Sequence, residues 1–377
     1  DKIVQIQTKV TSRYSRSGGV TTATSGRYKV TAYCACMSCC GKTNGITNGD
    51  ITSINDLQLS VKEAFSNLEA QVDNFKIEKV LLVLPSSKMN VYRKRSKMEI
   101  LARDKVITSK DIKDLKMSFS RVDIPIDELI VNIIPISYRV DGGEALLKEP
   151  SGLSGSILEL EANLITLPSF IARSYVDIIQ NLGYEILDAV VSPLALSSIL
   201  IDNESPINGK VICDIGGKNT LLSFFQNGNL VGTSLVRFGS NLITSEISKQ
   251  FDLSIERSER LKVEYGTANS QLSEQIVVYS DDTKDLTITE KDLSETISKR
   301  LEEYYIELNK VTTNLTKSVS YPIVIIGGGS HLNSIDEQIK IRLGRETNTY
   351  ISSYIGARNN AFLPCISLVE YYVNKHR

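Results

Sequence analysis

The residues best suited to chemistry in this 377-residue chain are one aspartate and glycines at two distant places. In the stretch 210–232, Val211, Ile212 and Cys213 read as a buried strand, and Asp214 stands where that strand ends. Gly216 and Gly217 turn the chain, Thr220 to Phe225 return it as a hairpin, and Asn227-Gly228 opens a third strand. An acid at a strand end followed by tandem glycines lets backbone N–H groups approach an anion without side-chain obstruction. The acid would then face a phosphate-bound Mg²⁺ rather than the bare phosphate. Asp-x-Gly-Gly also occurs in ordinary hairpins, so the motif alone leaves both readings open.

A second glycine run fits the first. Ile323-Val-Ile-Ile-Gly327-Gly328-Gly329-Ser330 is a buried apolar strand, three glycines and a helix cap. Leu332, Ile335 and Ile339 then have helical spacing. A strand, Gly-Gly-Gly and helix after an Asp-x-Gly-Gly hairpin resembles the phosphate-two and adenosine loops of the actin and sugar-kinase superfamily. Between them Glu259-Arg260-Leu261-Lys262 resembles that superfamily's Glu-x-x-Lys on a helix, which holds the nucleotide ribose.

The resemblance implies ATP and Mg²⁺ as cofactors. Gly216, Gly217 and Asn219 would present N–H groups to phosphates, with Thr220 and Gly239 in the same set. Asp214 would sit on the metal side, through water, as the one catalytic candidate. Gly327, Gly328, Gly329 and Ser330 would lie under the adenosine, and Glu259 and Lys262 at the ribose. Asp1-Lys2-Ile3-Val4 looks like the tail of the superfamily's first phosphate loop, with the aspartate and glycine lost upstream. Lys2 is then either that loop's lysine or a frayed terminal one.

Composition bounds the alternatives. With 377 residues the chain should hold two or more domains. Lys and Arg total 43 against 44 acids, net charge −1, which argues against a nucleic-acid surface. Six cysteines without a signal peptide suggest reduced thiols and a cytoplasmic protein. No apolar run approaches the ~20 residues that span a bilayer. Cys36 and Cys39 have C-x-x-C spacing beside Cys34 and Cys40, either a thiol site or an oxidation-prone strand end. The only histidines are His331 and His376, so a Ser–His–Asp relay has little support. Arg93-Lys94-Arg95 and Lys97 alternate with other residues in the manner of a solvated sheet edge.

Strands are expected at 3–14 and 27–36. Between 48 and 149 the pattern predicts an αββα-type unit. It holds an amphipathic helix over 53–73 (Leu57, Val61, Phe65, Leu68, Val72), capped by Ser53 or Asp56. A buried strand at Lys79–Pro85, a helix at 109–119 and a strand at Glu128–Val140 follow. The next strand, 156–167, is assigned to the larger fold. A helix at Ser169–Asn181 ended by Gly183, a strand at Glu185–Ser192, and helices at 241–251, 254–265 and 290–317 complete the pattern.

Gly45-Ile-Thr-Asn-Gly-Asp50-Ile51, the insert, Asp141-Gly-Gly and Pro150-Ser-Gly-Leu-Ser-Gly155 together resemble the FtsA family of bacterial cell-division proteins. That family has an actin-like, two-lobed α/β fold of the ribonuclease H-like kind with an inserted domain, 1C. The resemblance implies subdomain 1A at 1–47, 150–204 and 351–377, and 1C at 48–149. It implies 2A at 205–238 and 320–350, and 2B at 239–319. It further implies a protein that polymerises head to tail and ties the FtsZ ring, with other divisome proteins, to the cytoplasmic face of the membrane at the division septum. The membrane helix would follow the last residue, Arg377.

Lys218, Asn219 and Leu221 depart from that family's phosphate-two loop, which usually has a third glycine and ends Thr-Thr-Asp. Leu221 removes an acid, so at most a weak ATPase is expected. Three other readings are a PilM-like pilus-assembly protein, a small-molecule kinase of the superfamily, and a scaffold with a degenerate nucleotide site.

Overall fold

The computed structural model describes residues 4–7, 29–34, 44–47, 50–70, 76–201, 208–353 and 363–376. β1 (Val4–Gln7) pairs antiparallel with β2 (Lys29–Cys34). The rest of the expected strand 3–14, and Cys36, Cys39 and Cys40, lie outside the described residues. β3 (Ile46–Thr47) and β4 (Asp50–Ile51) form a short hairpin ahead of helix α1 (Ile54–Ala70). Ser53 Oγ accepts the Asp56 N–H at 3.3 Å and caps that helix. Leu57, Val61 and Phe65 make its buried face. β5 (Lys79–Leu84), buried from Val80 onward, runs parallel to β2.

β6 (Asn90–Glu99), α2 (Ser109–Ser118), β7 (Glu128–Val140) and β8 (Ile157–Pro168) follow. They form an antiparallel sheet in the order β6-β8-β7. Ile112 and Leu115 of α2 pack with Leu158, Leu160 and Leu164 of β8 in a core of their own. The chain then returns through α3 (Ser169–Asn181), β9 (Glu185–Val191) and α4 (Ser192–Leu200). β9 closes the first sheet, in the order β1-β2-β5-β9.

The second lobe opens with the meander β10 (Gly209–Ile215), β11 (Thr220–Gln226) and β12 (Asn229–Val236). Asn227 and Gly228, at φ +50° and +77°, make the tight turn their types favour. Next come α5 (Ser240–Phe251), α6 (Ile255–Tyr265), the hairpin β13 (Val277–Asp281) and β14 (Leu286–Thr289), and the long α7 (Glu290–Leu315). β15 (Ile323–Ile326), α8 (Ile335–Leu343), β16 (Thr347–Thr349) and α9 (Leu363–Lys375) end the described chain. The second sheet runs β12-β11-β10-β15-β16. Val211, Cys213 and Ile215 on one face join Leu293, Ile297 and Leu301 of α7 in the second core. Ile212, Val324 and Ile326 on the other face join Leu363 and Leu368 of α9 in the first core. The segments expected as 2A and 2B therefore share one core, and 351–377 returns to the first lobe where it is described.

The expected insert at 48–149 needs correction at both ends. Helix α1 and strand β5 belong to the first lobe: Leu57, Val61 and Phe65 pack with Leu81 and Leu82 in its core. β5 lies between β2 and β9 in its sheet. β8, expected in the larger fold, is the middle strand of the insert. The Gly-rich run 141–155 reads as a boundary in sequence, yet it is the link between paired strands. Asp141 closes it, its Oδ1 accepting the N–H groups of Ser156 at 2.9 Å and Ile157 at 2.7 Å. At its far end β8 crosses between cores, because Ile165 and Leu167 pack into the first lobe. The insert therefore runs from β6 to β8.

Helix α7, the spine of the second lobe, starts with a capping box. Thr289 Oγ1 accepts the Asp292 N–H at 3.1 Å, and Asp292 accepts the Thr289 N–H at 2.9 Å. These bonds hold the Asp292 carboxyl below its ordinary value of 3.8. A carboxyl held low in the fold contributes stability above its ordinary value and loses it as pH falls through the folded one. Thr289→Ala should cost about 1 kcal/mol in urea unfolding at pH 7. The gap from the parent should narrow at acid pH, where Asp292 is protonated in both proteins.

Candidate functional site

The two glycine runs meet because β10 and β15 are parallel neighbours, in a register that sets Val211 against Ile323 and Asp214 against Ile326. Both turns leave the carboxyl edge of the same sheet, the usual ligand position in open α/β sheets. Asp214 points to the same sheet face as Ile212, towards the first lobe. It is half-buried. Gly327 lies against it: φ is +86°, and an added Cβ would stand 2.3 Å from Asp214 Oδ1. A Cβ on Gly329 would stand 2.3 Å from Ile215 Cγ2. Gly328 differs, since a Cβ there meets nothing within 4 Å. Gly327 and Gly329 thus let the two loops touch, and Gly328 keeps open space above them.

The 216–219 loop is held from outside by helix α5. Ser240 N–H donates to Gly216 O at 3.0 Å, and Asn241 N–H to Gly217 O at 2.8 Å. Gly239 makes this approach possible, because its Cβ would lie 2.5 Å from the Gly217 carbonyl. Gly216 spends its own N–H on Asn219 O at 2.9 Å. Among the described residues no hydrogen bond occupies the N–H groups of Gly217, Lys218 or Asn219. Three successive open amides beside a helix N-terminus form a positive concavity suited to an anion. The expectation that Gly216 would present its N–H is corrected, since Asn219 O takes it; Gly217 and Asn219 keep theirs.

Thr220 is also corrected. Its side chain turns into the second core, where the hydroxyl donates to Phe238 O at 2.8 Å and lies 3.3 Å from Tyr304 Oη. Strand alternation decides this: Ile215 and Thr220 are paired and face the core, whereas Asp214 and Leu221 are paired and face the first lobe. Leu221 therefore sets an apolar side chain beside the acid. Lys218 is exposed at the loop tip.

Ser330 caps no α-helix. It lies in a single turn, Gly328–His331, and its hydroxyl donates to Gly327 O at 2.7 Å; the helix begins at Ile335. The lone turn after the glycines fixes their carbonyls rather than continuing the helical spacing. His331 is exposed at its end. Lys2 lies outside the described residues.

Glu259 and Lys262 stand one turn apart on α6, beside the start of α5. Lys262 Nζ is 2.7 Å from Glu259 Oε2, 2.8 Å from Thr244 Oγ1 and 3.2 Å from Ser240 O. Thr244 Oγ1 also bonds Glu259 Oε2. An ammonium has three donors, and all three are engaged here. Lys262 is enclosed by these partners, its side chain 8% exposed, whereas Glu259 stays 46% exposed. Ser240, Asn241 and Thr244 were not singled out in sequence, though their position at the start of the helix after Gly239 carried the signal.

Burial pushes the Cys213 thiol up to about 12, so it stays protonated and is no nucleophile at neutral pH. No cluster of three or more His, Cys, Asp or Glu side chains suited to a metal occurs among the described residues. A metal at Asp214 would need ligands from a bound phosphate, the usual arrangement for Mg²⁺. Arg93 and Arg95 on the outer strand β6 both pair with Glu161 at 3.0 Å, a solvated edge as expected.

Two α/β lobes joined in this way, with paired glycine turns at one sheet edge, are the actin-like fold. Solved structures agree. The chain is similar to a protein of the PilM-PilN type IV pilus biogenesis complex (TM-score 0.56, 14% identity, 87% of this chain and 88% of that one). It is also similar to MreB5 of Spiroplasma citri bound to ADP (TM-score 0.52, 14% identity, 88% and 78%). A family model described as cell division protein FtsA matches residues 211–367, and one described as the SHS2 domain inserted in FtsA matches 87–166. The second coincides with β6 to β8. Curated relatives include the cell division protein FtsA of Enterococcus hirae, 27% identical over 342 residues (88% of this chain, 76% of the relative). That of Bacillus subtilis is 26% identical over 336 residues (87% and 76%). The chain belongs to the FtsA family of cell division proteins.

The glycines can be separated by experiment. Gly327→Ala should destabilise the fold by about 2 kcal/mol or more, because it meets both positive φ and a backbone clash. Gly328→Ala should stay within about 0.5 kcal/mol of the parent. Urea unfolding of both variants tests the assignment, and equal losses would contradict it.

Proposed function

We propose that this FtsA-family chain binds ATP between the 216–219 loop and the Gly327–Gly329 turn, and that the bound state governs its self-assembly. The observation that carries the reading is the run of three open amides, Gly217 to Asn219, in a loop at the same sheet edge as the Gly327–Gly329 turn. The amides suit the phosphates, the half-buried Asp214 carboxylate suits a Mg²⁺ held through water, and the open space at Gly328 suits the adenosine. The exposed side of Glu259 suits the ribose hydroxyls. Bound Mg²⁺ would neutralise phosphate charge and let it sit close to Asp214. The MreB5 structure similar in fold has ADP bound, which supports the same ligand class here.

Within this reading the protein forms a head-to-tail filament and links the FtsZ ring to the cytoplasmic membrane face at the septum, together with other divisome proteins. The link rests on family membership. A contact that does not close on itself generates an open chain, and the insert supplies a surface projecting from the first lobe. Among the described residues no helix is long and apolar enough to cross a membrane. Hydrolysis would be slow, because Leu221 rather than an acid faces Asp214.

Calorimetry with Mg-ATP tests the site. Gly328→Val should fold like the parent, since a Cβ there meets nothing within 4 Å, yet bind ATP at least about tenfold more weakly. Equal binding would remove the adenosine assignment. Sedimentation and electron microscopy of the whole chain, with ATP and with purified FtsZ, test assembly. Filaments that co-sediment with FtsZ are expected; a chain that stays monomeric at high concentration with ATP tells against it.

A further inference from the structure

Strand β8 belongs to the insert, yet one of its side chains reaches the second lobe. Alternation puts Leu158, Leu160, Ala162 and Leu164 into the insert's own core, and Asn163, Ile165 and Leu167 onto the opposite face. Ile165 and Leu167 join the first core, which also takes in Phe225 and Leu230 of the second-lobe meander. Asn163, 3% exposed, stands next to them, and its Nδ2 donates to Leu230 O at 2.7 Å. Further along the same face Glu161 pairs with the exposed Arg93 and Arg95. Asn163 is thus the last buried position of β8 before that face turns to water.

The carbonyl it meets is a special one. β12 is an edge strand, and a bulge interrupts its ladder: Phe225 opposes Leu230 while Phe224 opposes Gly232, with Val231 extra. Leu230 is fully buried, so its carbonyl needs a donor from elsewhere. Asn163 supplies it, where an apolar side chain of equal size would fill only the space. The insert's own edge strand, β6, lies against β12 beside this bond. A separate bond ties the second lobe to the first, from Lys210 Nζ to Leu200 O at the end of α4, 2.9 Å long. Lys210 pairs with Phe225 at the start of β10, the far end of that strand from Asp214. The lobes are therefore joined at one end of β10 and carry the glycine turns at the other. We infer that Asn163 latches the insert to the second lobe, so that the insert, though continuous with the first lobe, follows the second when the lobes rotate about this junction. The inference involves no ligand and does not rest on the ATP reading.

The test measures distances by double electron–electron resonance in the whole chain, with nitroxides carried on unnatural amino acids so that the native cysteines stay unlabelled. One pair, Lys113 on α2 and Lys299 on α7, spans the insert and the second lobe. The other, Lys62 on α1 and Lys299, spans the two lobes, and all three positions are exposed. The parent should give one narrow distribution for each pair. Asn163→Leu keeps the volume and removes the donor, and should raise the undocked population about tenfold, the scale of one buried carbonyl left unpaired. The Lys113–Lys299 distribution should then broaden while Lys62–Lys299 stays as in the parent. Asn163→Asp, which sets a carboxylate against Leu230 O, should broaden the first pair further. Should leucine pack poorly in circular dichroism melts, Asn163→Ala carries the same test. An unchanged Lys113–Lys299 distribution would show that packing alone seats the insert, and overturns the latch. Equal broadening of both pairs also overturns it, because Asn163 would then hold the lobes together rather than the insert. Hydrogen exchange across α2 should match the parent; faster exchange there would make Asn163 a residue of the insert's own fold and no latch.

Discussion

The parallel pairing of β10 with β15 is the constraint on which the second lobe and its site depend. It aligns two strands more than a hundred positions apart in sequence, Val211 against Ile323 and Asp214 against Ile326. A slip of one residue would turn Val211, Cys213 and Ile215 out of one core and Ile212 out of the other. Both faces of β10 are buried, so both cores enforce the same register. The contact of Gly327 with Asp214 follows directly, because these residues stand at corresponding strand ends. The glycine's positive φ is therefore a consequence of strand pairing as much as of ligand chemistry.

The same logic explains how much was legible in sequence. The meander of β10 to β12 could be placed to within a residue or two, because buried runs, Gly216-Gly217 and Asn227-Gly228 all agree with one another. The strand Glu128–Val140 and the helix Ser169–Asn181 also match their expected limits. The insert boundaries were not legible. Glycine and serine between 141 and 155 signal a break, but the signal does not say whether the flanking strands pair with each other. Pairing of β7 with β8 is a long-range property, and β8 conceals it by carrying apolar residues for two cores. Likewise α1 reads as amphipathic, which tells that one face is buried and not which sheet covers it.

Within the site, residue types were legible and hydrogen-bond saturation was not. The spacing of Glu259 and Lys262 places both on one helical face, and a motif then assigns both to the ligand. Only the fold brings Ser240, Thr244 and Glu259 together around the ammonium. Thr220 failed for a related reason. It adjoins the glycine loop in sequence, but alternation sends its side chain to the opposite face from Asp214. Closeness along the chain and closeness to a ligand separate wherever a strand begins.

That alternation also shapes what the site can do. The sheet face carrying Asp214 carries Leu221 beside it and Ile212 before it, so its strand neighbours on that face are apolar. A single carboxylate can face a metal bound to phosphate, but it cannot also orient and deprotonate an attacking water. In the proposed reading, the free energy of nucleotide binding would go to holding the loop edge and α5 in one arrangement. In a protein that works through assembly this is a coherent combination. The edge carrying both glycine turns is built from the strands that join the two cores, so in the proposed reading a ligand there would bear on both.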